Sequence, residues 1–100
     1  MIVIAGKITL DPSKKDEANV AAIEMMEATH AEAGCIEYAF TWDLVEEGVV
    51  RVIEQWEDQA ALDAHMAAPH MDAFVAKMGG LGIKGMDLKK FEVSSVGPVR

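Results

Sequence analysis

Cysteine is nearly missing from this sequence, which contains only Cys35 among its 100 residues. One cysteine cannot form a disulfide within the chain, so packing alone must hold the fold, and we expect a reducing, cytoplasmic location. Long apolar runs are missing as well, because no stretch approaches the roughly 20 residues of a membrane-spanning helix. Segment 2–10 is interrupted by Gly6 and Lys7 and does not have the layout of a signal peptide.

Basic residues are also scarce. Nine lysines and arginines stand against 17 acidic residues, which gives a net charge of −8. A negative surface repels phosphate groups, so we expect no nucleic-acid partner and no membrane partner. The length of 100 residues fits a single domain, with a core of about residues 2–96. Its hydrophobic share of 51% is slightly rich for a solvated monomer and indicates apolar surface buried against a second subunit.

Two kinds of hydrophobic periodicity divide the chain into strands and helices. β-branched or alternating apolar residues predict strands at 2–10, 36–44, 49–56 and 86–96. The helical period predicts helices at 11–33, 58–66 and 70–78. Asp11, followed by Pro12, and Asp58 supply the N-cap signals, and Gly34 supplies a stop signal. The resulting order, β-α-β-β-α-β, predicts an α+β, ferredoxin-like fold.

A sheet of this type carries its helices on one face only. The strands are rich in valine, isoleucine and aromatic residues, which do not face water in bulk, so the other face needs a cover. A second copy of the same sheet is the simplest cover. We therefore expect a homodimer formed through the open sheet face.

Several short motifs occur in a defined order. Glu54-Gln55-Trp56-Glu57-Asp58 is followed by Ala61-Leu62, His65, Pro69-His70 and Phe74. The chain in this respect resembles the antibiotic biosynthesis monooxygenase family, in which a strand ending in Glu-x-Trp leads into a helix with a histidine, and another histidine lies near a proline. Gly34-Cys35-Ile36-Glu37-Tyr38 is similar to the family's glycine-cysteine-to-tyrosine passage. The resemblance covers residues 2–96.

The resemblance implies a dimeric α/β barrel, in which two sheets face each other and each subunit has a pocket between sheet and helices. It also implies a monooxygenase that oxidises a quinol, or a related phenolic or polyketide molecule, with dioxygen and without metal, flavin or another cofactor. The fold serves other chemistries too. The alternatives are a non-enzymatic small-ligand-binding or stress-related dimer, an isomerase, and a haem-degrading enzyme. The last is disfavoured, since the first strand lacks the asparagine, and helix 60–68 the tryptophan, of haem-degrading relatives.

Three side chains are candidates for a catalytic acid or base. Glu54 shares a strand face with Trp56, so its carboxylate lies among apolar neighbours and must find a donor or take up a proton. His65 lies on the inward side of its helix, and His70 opens the next helix four residues before Phe74. A pocket histidine can deprotonate a phenol, and only the anion is electron-rich enough to reduce dioxygen. Each candidate also has a purely structural interpretation, as a hydrogen-bonded anchor.

Aromatic residues are the candidates for substrate binding. Tyr38, Phe40 and Trp42 occupy alternate positions of one strand and, with Trp56 and Phe74, could line a pocket for a flat ring. The same side chains would serve equally well as core or dimer interface. Only a structure can separate these interpretations, because both place the rings on the buried face.

Metal binding is not expected from the spacing of the candidate ligands. His65 and His70 lie five residues apart across a proline, and Cys35 is distant, so no set has the spacing of a closed zinc site. His30, on the flank of the long helix, is expected to be solvated or to lie in an interface. We therefore predict no metal site.

Overall fold

The computed structural model describes residues 1–100. It contains one antiparallel sheet with strand order β2-β3-β1-β4. The strands are β1 (Ile2–Leu10), β2 (Cys35–Trp42), β3 (Val49–Trp56) and β4 (Ile83–Glu92). The helices are α1 (Lys15–His30), α2 (Gln59–Met66) and α3 (Pro69–Met78), and a 3₁₀ turn at Pro12–Lys14 precedes α1. The predicted α+β, ferredoxin-like fold is confirmed.

The first helix is shorter than its sequence pattern predicts. Asp11 accepts a hydrogen bond from the Ser13 N–H, but it caps the 3₁₀ turn, and α1 begins only at Lys15. At its other end α1 stops at His30. Gly34, with φ of 82°, lies in the following turn, where a Cβ would be 2.6 Å from the Cβ of Ala61. This glycine therefore permits a close approach to α2 instead of ending the helix.

The second strand departs from strict alternation at both ends. A bulge between Cys35 and Glu37 shifts the register against β3, which leaves Ile36 half exposed. The predicted strand residue Leu44 lies beyond the strand and is fully exposed. The Asp43 carboxylate accepts hydrogen bonds from the Val45 and Glu46 N–H groups of the turn, which follows the end of the strand at Trp42.

The last strand begins three residues before the predicted start at Met86 and ends four before the predicted end at Val96. β4 is an edge strand that pairs only with β1, from Leu10 opposite Ile83 to Ile2 opposite Glu92. Its length is therefore set by the length of β1. A periodic pattern cannot show this limit, because it depends on the partner strand.

The core fills the space between the sheet and the helices. One cluster consists of Ile2, Met25, Tyr38, Trp56 and Leu62. The other consists of Leu10, Ala18 and Leu81. The two clusters lie at opposite ends of β1, so we call them the histidine end, which also contains His65, and the apolar end. None of the helices is both long and apolar enough to cross a lipid bilayer.

The opposite face of the sheet carries no helix. The register places Val3 beside Phe91, and Ala5 beside Ile53, on this face. Lys89 pairs with Ala5 on the same face, and further along β1 the face is charged, with Lys7, Arg51 and Asp87. Only part of the open face is therefore apolar, although the sequence pattern suggested that all of it would be.

Candidate active site

Two short helices carry the two candidate histidines. The Asp58 carboxylate accepts a hydrogen bond from the Ala61 N–H and starts α2, which buries Leu62 and His65 against the sheet. Pro69 opens α3 and His70 follows it directly. The break between α2 and α3 allows His65 and His70 to approach each other, with 6.1 Å between their ring centroids.

His65 is enclosed by aromatic rings. Its ring centroid lies 4.6 Å from that of Trp56 and 5.2 Å from that of Tyr38. Only 1% of its surface is exposed, whereas the side chain of His70 is 28% exposed. His65 is therefore an interior residue of the histidine end, and His70 is the histidine that a dissolved molecule can reach.

Glu32 connects the two histidines. Its Oε2 lies 2.7 Å from His65 Nδ1 and 2.8 Å from His70 Nε2. A carboxylate oxygen can only accept, so both ring N–H groups donate to it, and His65 Nε2 and His70 Nδ1 remain free to take up a proton. Glu32 is missing from the sequence-derived candidates because the pattern places it near the end of a helix. In the structure it lies in the turn after α1, where it faces α2 and α3.

Glu54 lies where strand parity predicts, on the buried face with Trp56. Its Oε1 accepts a hydrogen bond of 3.0 Å from Trp56 Nε1, which is the donor that a buried carboxyl group needs. Burial raises the pKa of Glu54, and the nearby Glu32 adds to this, while the Trp56 N–H and His65 oppose it. A carboxyl group in this position is disposed to hold a proton.

An aromatic series leads from His65 toward the apolar end. Burial raises the pKa of the Tyr38 hydroxyl, and the carboxylates of Glu54 and Glu32 raise it further, so Tyr38 remains a neutral phenol. The rings of Tyr38 and Phe40 meet edge to face at 5.1 Å, and those of Phe40 and Phe74 stack at 5.6 Å. With the contact between Tyr38 and Trp56, these bring together four of the five predicted substrate-binding residues: Tyr38, Phe40, Phe74 and Trp56.

Trp42 does not join that group. Its indole Nε1 donates a 2.7 Å hydrogen bond to Asn19 Oδ1, and Lys15 Nζ lies 5.2 Å from the centre of its ring. The residue packs against the Leu10 cluster at the apolar end. The period-two pattern was right about the face of the strand but could not show how far along that face the histidines lie.

An apolar cleft opens between the sheet and helices α1 and α3. All ten of its lining residues are hydrophobic, and they include Phe40, Phe74, Met78 and Leu81. A second cleft, lined by His70 and Met25, shares Phe74 with the first. The two have room for about 30 Å³ and 60 Å³, far less than the roughly 150 Å³ of a cavity that binds benzene. Neither cleft therefore admits an aromatic ring without movement of its lining side chains.

The cluster of Glu32, His65 and His70 is also the one place where side chains of metal-binding type converge, with ligand atoms within 4.8 Å of one another. The prediction of no metal site considered sequence spacing, which cannot show the contribution of Glu32. Cys35 is a free, half-buried thiol outside this group. Burial raises the pKa of the Cys35 thiol, helped by Glu32 and Glu54, so it is a poor nucleophile.

A family model supports the assignment that these motifs suggested. The model of the antibiotic biosynthesis monooxygenase family matches residues 1–77, which contain Glu32, Glu54, His65 and His70. The chain belongs to this family. The match ends within α3, so β4 lies outside it.

Individual relatives agree with the family membership. The chain is 34% identical over 93 residues to sll1783, an uncharacterised protein of Synechocystis, covering 93% of this chain but only 63% of that protein. It is 31% identical over 94 residues to YcnE of Bacillus subtilis, covering 94% of this chain and 99% of YcnE. YcnE is named as a candidate monooxygenase.

Solved structures agree on the fold. A protein of Deinococcus radiodurans that carries the family name superimposes with a TM-score of 0.92 at 19% identity, covering 100% of this chain and 99% of the other. A conserved protein of Methanosarcina mazei gives a TM-score of 0.84 at 23% identity, with coverage of 90% and 89%. Identities this low establish the shared fold, and the chemistry must be argued from the side chains.

Proposed function

We propose that this family member is a cofactor-independent monooxygenase that oxidises a quinol or a related phenolic molecule with dioxygen. The observation that carries the proposal is the pair of hydrogen bonds from His65 and His70 to the single oxygen Glu32 Oε2. Phe74 lines both the cleft that contains His70 and the wholly apolar cleft. A paired histidine supplies a base, and the cleft suits a flat, uncharged ring.

His70 is the proposed base. Its Nε2–H is held by Glu32, so Nδ1 is free, and its partial exposure allows a substrate hydroxyl to reach it. When Nδ1 takes the proton, the Glu32 carboxylate stabilises the resulting imidazolium, as a carboxylate does for the histidine of a catalytic triad. His65 gives Glu32 its second hydrogen bond and so holds the carboxylate in place.

The reaction then needs no further group from the protein to carry electrons. The deprotonated quinol passes one electron to dioxygen, and the resulting pair of radicals joins in a carbon–oxygen bond on the ring. Loss of water from the hydroperoxide leaves a hydroxyquinone, so one oxygen atom enters the ring and the other leaves in water. Glu54, with its raised pKa, is the proposed proton donor for that water.

Oxygen uptake tests the proposal. The full-length protein is mixed with a panel of hydroquinones, with and without air, and uptake above the protein-free rate is followed with an oxygen electrode. We expect His70→Ala to lose about 100-fold or more in kcat, the usual contribution of a general base. With ¹⁸O₂, one labelled atom should appear in the product. Uptake that survives the double substitution His65→Ala and His70→Ala would overturn the proposal.

A matched pair of amide substitutions tests the role of Glu32. Glu32→Gln keeps the size of the side chain but removes the charge that stabilises an imidazolium, so kcat should fall by about 10-fold or more. Asp72→Asn makes the same change on an exposed residue of the same helix as His70 and should leave kcat unchanged. Equal kcat values in the two variants would contradict the role given to Glu32.

A ligand-binding function without catalysis is the alternative, and the wholly apolar lining of the cleft favours it. It predicts that hydroquinones bind, as seen by quenching of tryptophan fluorescence, without oxygen uptake. Binding with no uptake across the panel would replace the enzymatic proposal by this one.

We also propose that the protein is a homodimer through the helix-free sheet face. Val3, Ala5, Ile53 and Phe91 form an apolar strip there, and Phe91 is 49% exposed. Burial of such a strip against a second copy removes apolar surface from water. The charged residues further along β1 would then set the register between the two sheets.

Light scattering tests the dimer. A mass near twice 10.8 kDa is expected at micromolar concentration. Phe91→Asp should shift it toward one chain, because a charge would enter the interface. Val75→Asp, at a residue 54% exposed on α3, is the matched control and should not change the mass. A mass of one chain for the unaltered protein would contradict the dimer.

A further inference from the structure

The Glu32, His65 and His70 cluster has a second chemical capacity, which neither its sequence motifs nor its relatives indicate. Its three ligand atoms are Glu32 Oε2, His65 Nδ1 and His70 Nε2, all within 4.8 Å of one another. Two imidazole nitrogens and one carboxylate oxygen are a ligand set that suits first-row transition metals, zinc in particular. The three side chains belong to the turn after α1, to α2 and to α3, so packing of the helices holds the triangle together.

The spacing of the atoms is close to what a metal ion requires. Tetrahedral ligands at about 2.0–2.1 Å from zinc lie about 3.3 Å from one another. Glu32 Oε2 is now 2.7 Å and 2.8 Å from the two nitrogens, which lie within 4.8 Å of each other. An ion would lengthen each oxygen–nitrogen distance by roughly 0.5 Å and bring the two nitrogens to about 3.3 Å from each other. To bind the ion, each neutral imidazole must carry its proton on the ring nitrogen that is not a ligand, which is Nε2 of His65 and Nδ1 of His70.

Access and an open coordination position are also present. His65 closes the inner side of the triangle, while the side chains of His70 and Glu32 are 28% and 15% exposed. An ion can therefore enter past His70. Three protein ligands leave the fourth position for water on the exposed side, as in zinc sites that exchange their ligands.

We propose that Glu32, His65 and His70 bind one divalent transition-metal ion of the zinc class, in place of the hydrogen bonds that now join them. The ion and the bridging protons use the same three atoms, so the two states exclude each other. If the proposed function holds, the metal-bound state is inactive, because His70 Nε2 binds the ion and Nδ1 then carries the proton. The cluster would thus make the oxidation sensitive to free zinc.

Metal titration without substrate tests the site directly. The full-length protein, stripped with a chelator, is titrated with Zn²⁺ by calorimetry and with Co²⁺ by visible absorption. We expect one ion per chain and the intense visible bands of four-coordinate Co²⁺. Glu32→Gln and His70→Ala should each weaken binding by about 100-fold or more. Both residues are partly exposed, so both variants should fold.

Two control variants separate this site from other ligands of the chain. His30→Ala removes the third histidine, whose Nε2 is hydrogen-bonded to the main-chain oxygen of Tyr38, and Cys35→Ser removes the free thiol. Neither should change the affinity. Equal weakening in either control, or no binding at millimolar Zn²⁺, would overturn the proposal.

The consequence for activity has its own readout. Zn²⁺ should lower oxygen uptake with the same concentration dependence as binding, and a chelator should restore it. Unchanged uptake at saturating Zn²⁺ would refute the claim that the metal-bound state is inactive, but it would not refute the metal site itself. Absence of oxygen uptake in every condition would refute the proposed function, while the Co²⁺ spectrum still decides the metal site.

Discussion

The two ends of the core lie on the same face of the same sheet, yet they differ in chemistry. At the histidine end, Glu54 and His65 are buried beside the rings of Trp56 and Tyr38. The Glu54 carboxyl group there is hydrogen-bonded to Trp56 and lies near the Tyr38 hydroxyl. At the apolar end, Leu10 and its neighbours line a cleft without a polar group. A fold of 100 residues thus separates a cluster of polar side chains from a wholly apolar cleft.

The two ends differ in the hydrogen-bond partners that their buried side chains require. Burying carboxylates and imidazoles is costly unless they have partners, so the buried Glu54 is hydrogen-bonded to Trp56 and the buried His65 to Glu32. The apolar end has no such requirement and retains a gap beside Phe74 and Met78. Substitutions at the two ends should therefore differ in both size and kind of effect.

Truncation of the core should give the largest contrast in stability. Trp56→Ala removes the ring that packs on His65 and the donor of Glu54, so the free energy of unfolding should fall by about 3–5 kcal/mol. Leu81→Ala, at the apolar end, borders a gap that already exists and should cost about 2 kcal/mol. Urea denaturation with matched m-values measures both. Equal losses would contradict the difference in packing.

The pH dependence of stability should differ in sign between Glu54 at the histidine end and Asp43 near the apolar end. Its pKa is raised above the ordinary 4.5 in the folded protein. Its contribution to stability is therefore full below pH 4.5 and declines as the pH rises through the raised value. Glu54→Gln removes this decline. The other titratable groups that face this side chain, those of His65, Glu32 and Tyr38, are unchanged in the variant. Its melting temperature should exceed that of the unaltered protein by more at pH 8 than at pH 4, and equal differences at the two pH values would refute the assignment.

Asp43, in the hairpin turn beside the apolar end, should show the opposite response. The main-chain N–H groups of Glu46 and Val45, together with Arg51, lower its pKa from 3.8 to about 2. Its contribution is therefore present above pH 3.8 and is lost as the pH falls toward 2. Asp43→Asn should be slightly less stable than the unaltered protein at pH 6, with the difference vanishing near pH 2. A difference that persists at pH 2 would argue against the carboxylate as its cause.

Predictions from local pattern were accurate where a side chain's role follows from its own element. The shared face of Glu54 and Trp56 follows from strand parity, and the inward side of His65 follows from helical spacing. Trp42 has the same parity as Tyr38 but lies at the other end of the strand from His65. Parity fixes which face a residue occupies and says nothing about which helix covers that part of the face.

The sequence by itself determined the order of strands and helices and the family, because both depend on periodicity and on motifs within short segments. Only the tertiary structure decided that Glu32 belongs to the site. Its position follows from α1 ending at His30, which turns the chain so that the carboxylate meets α2 and α3. Contacts between segments more than 30 residues apart depend on helix ends and on packing, and neither leaves a periodic signal in the sequence.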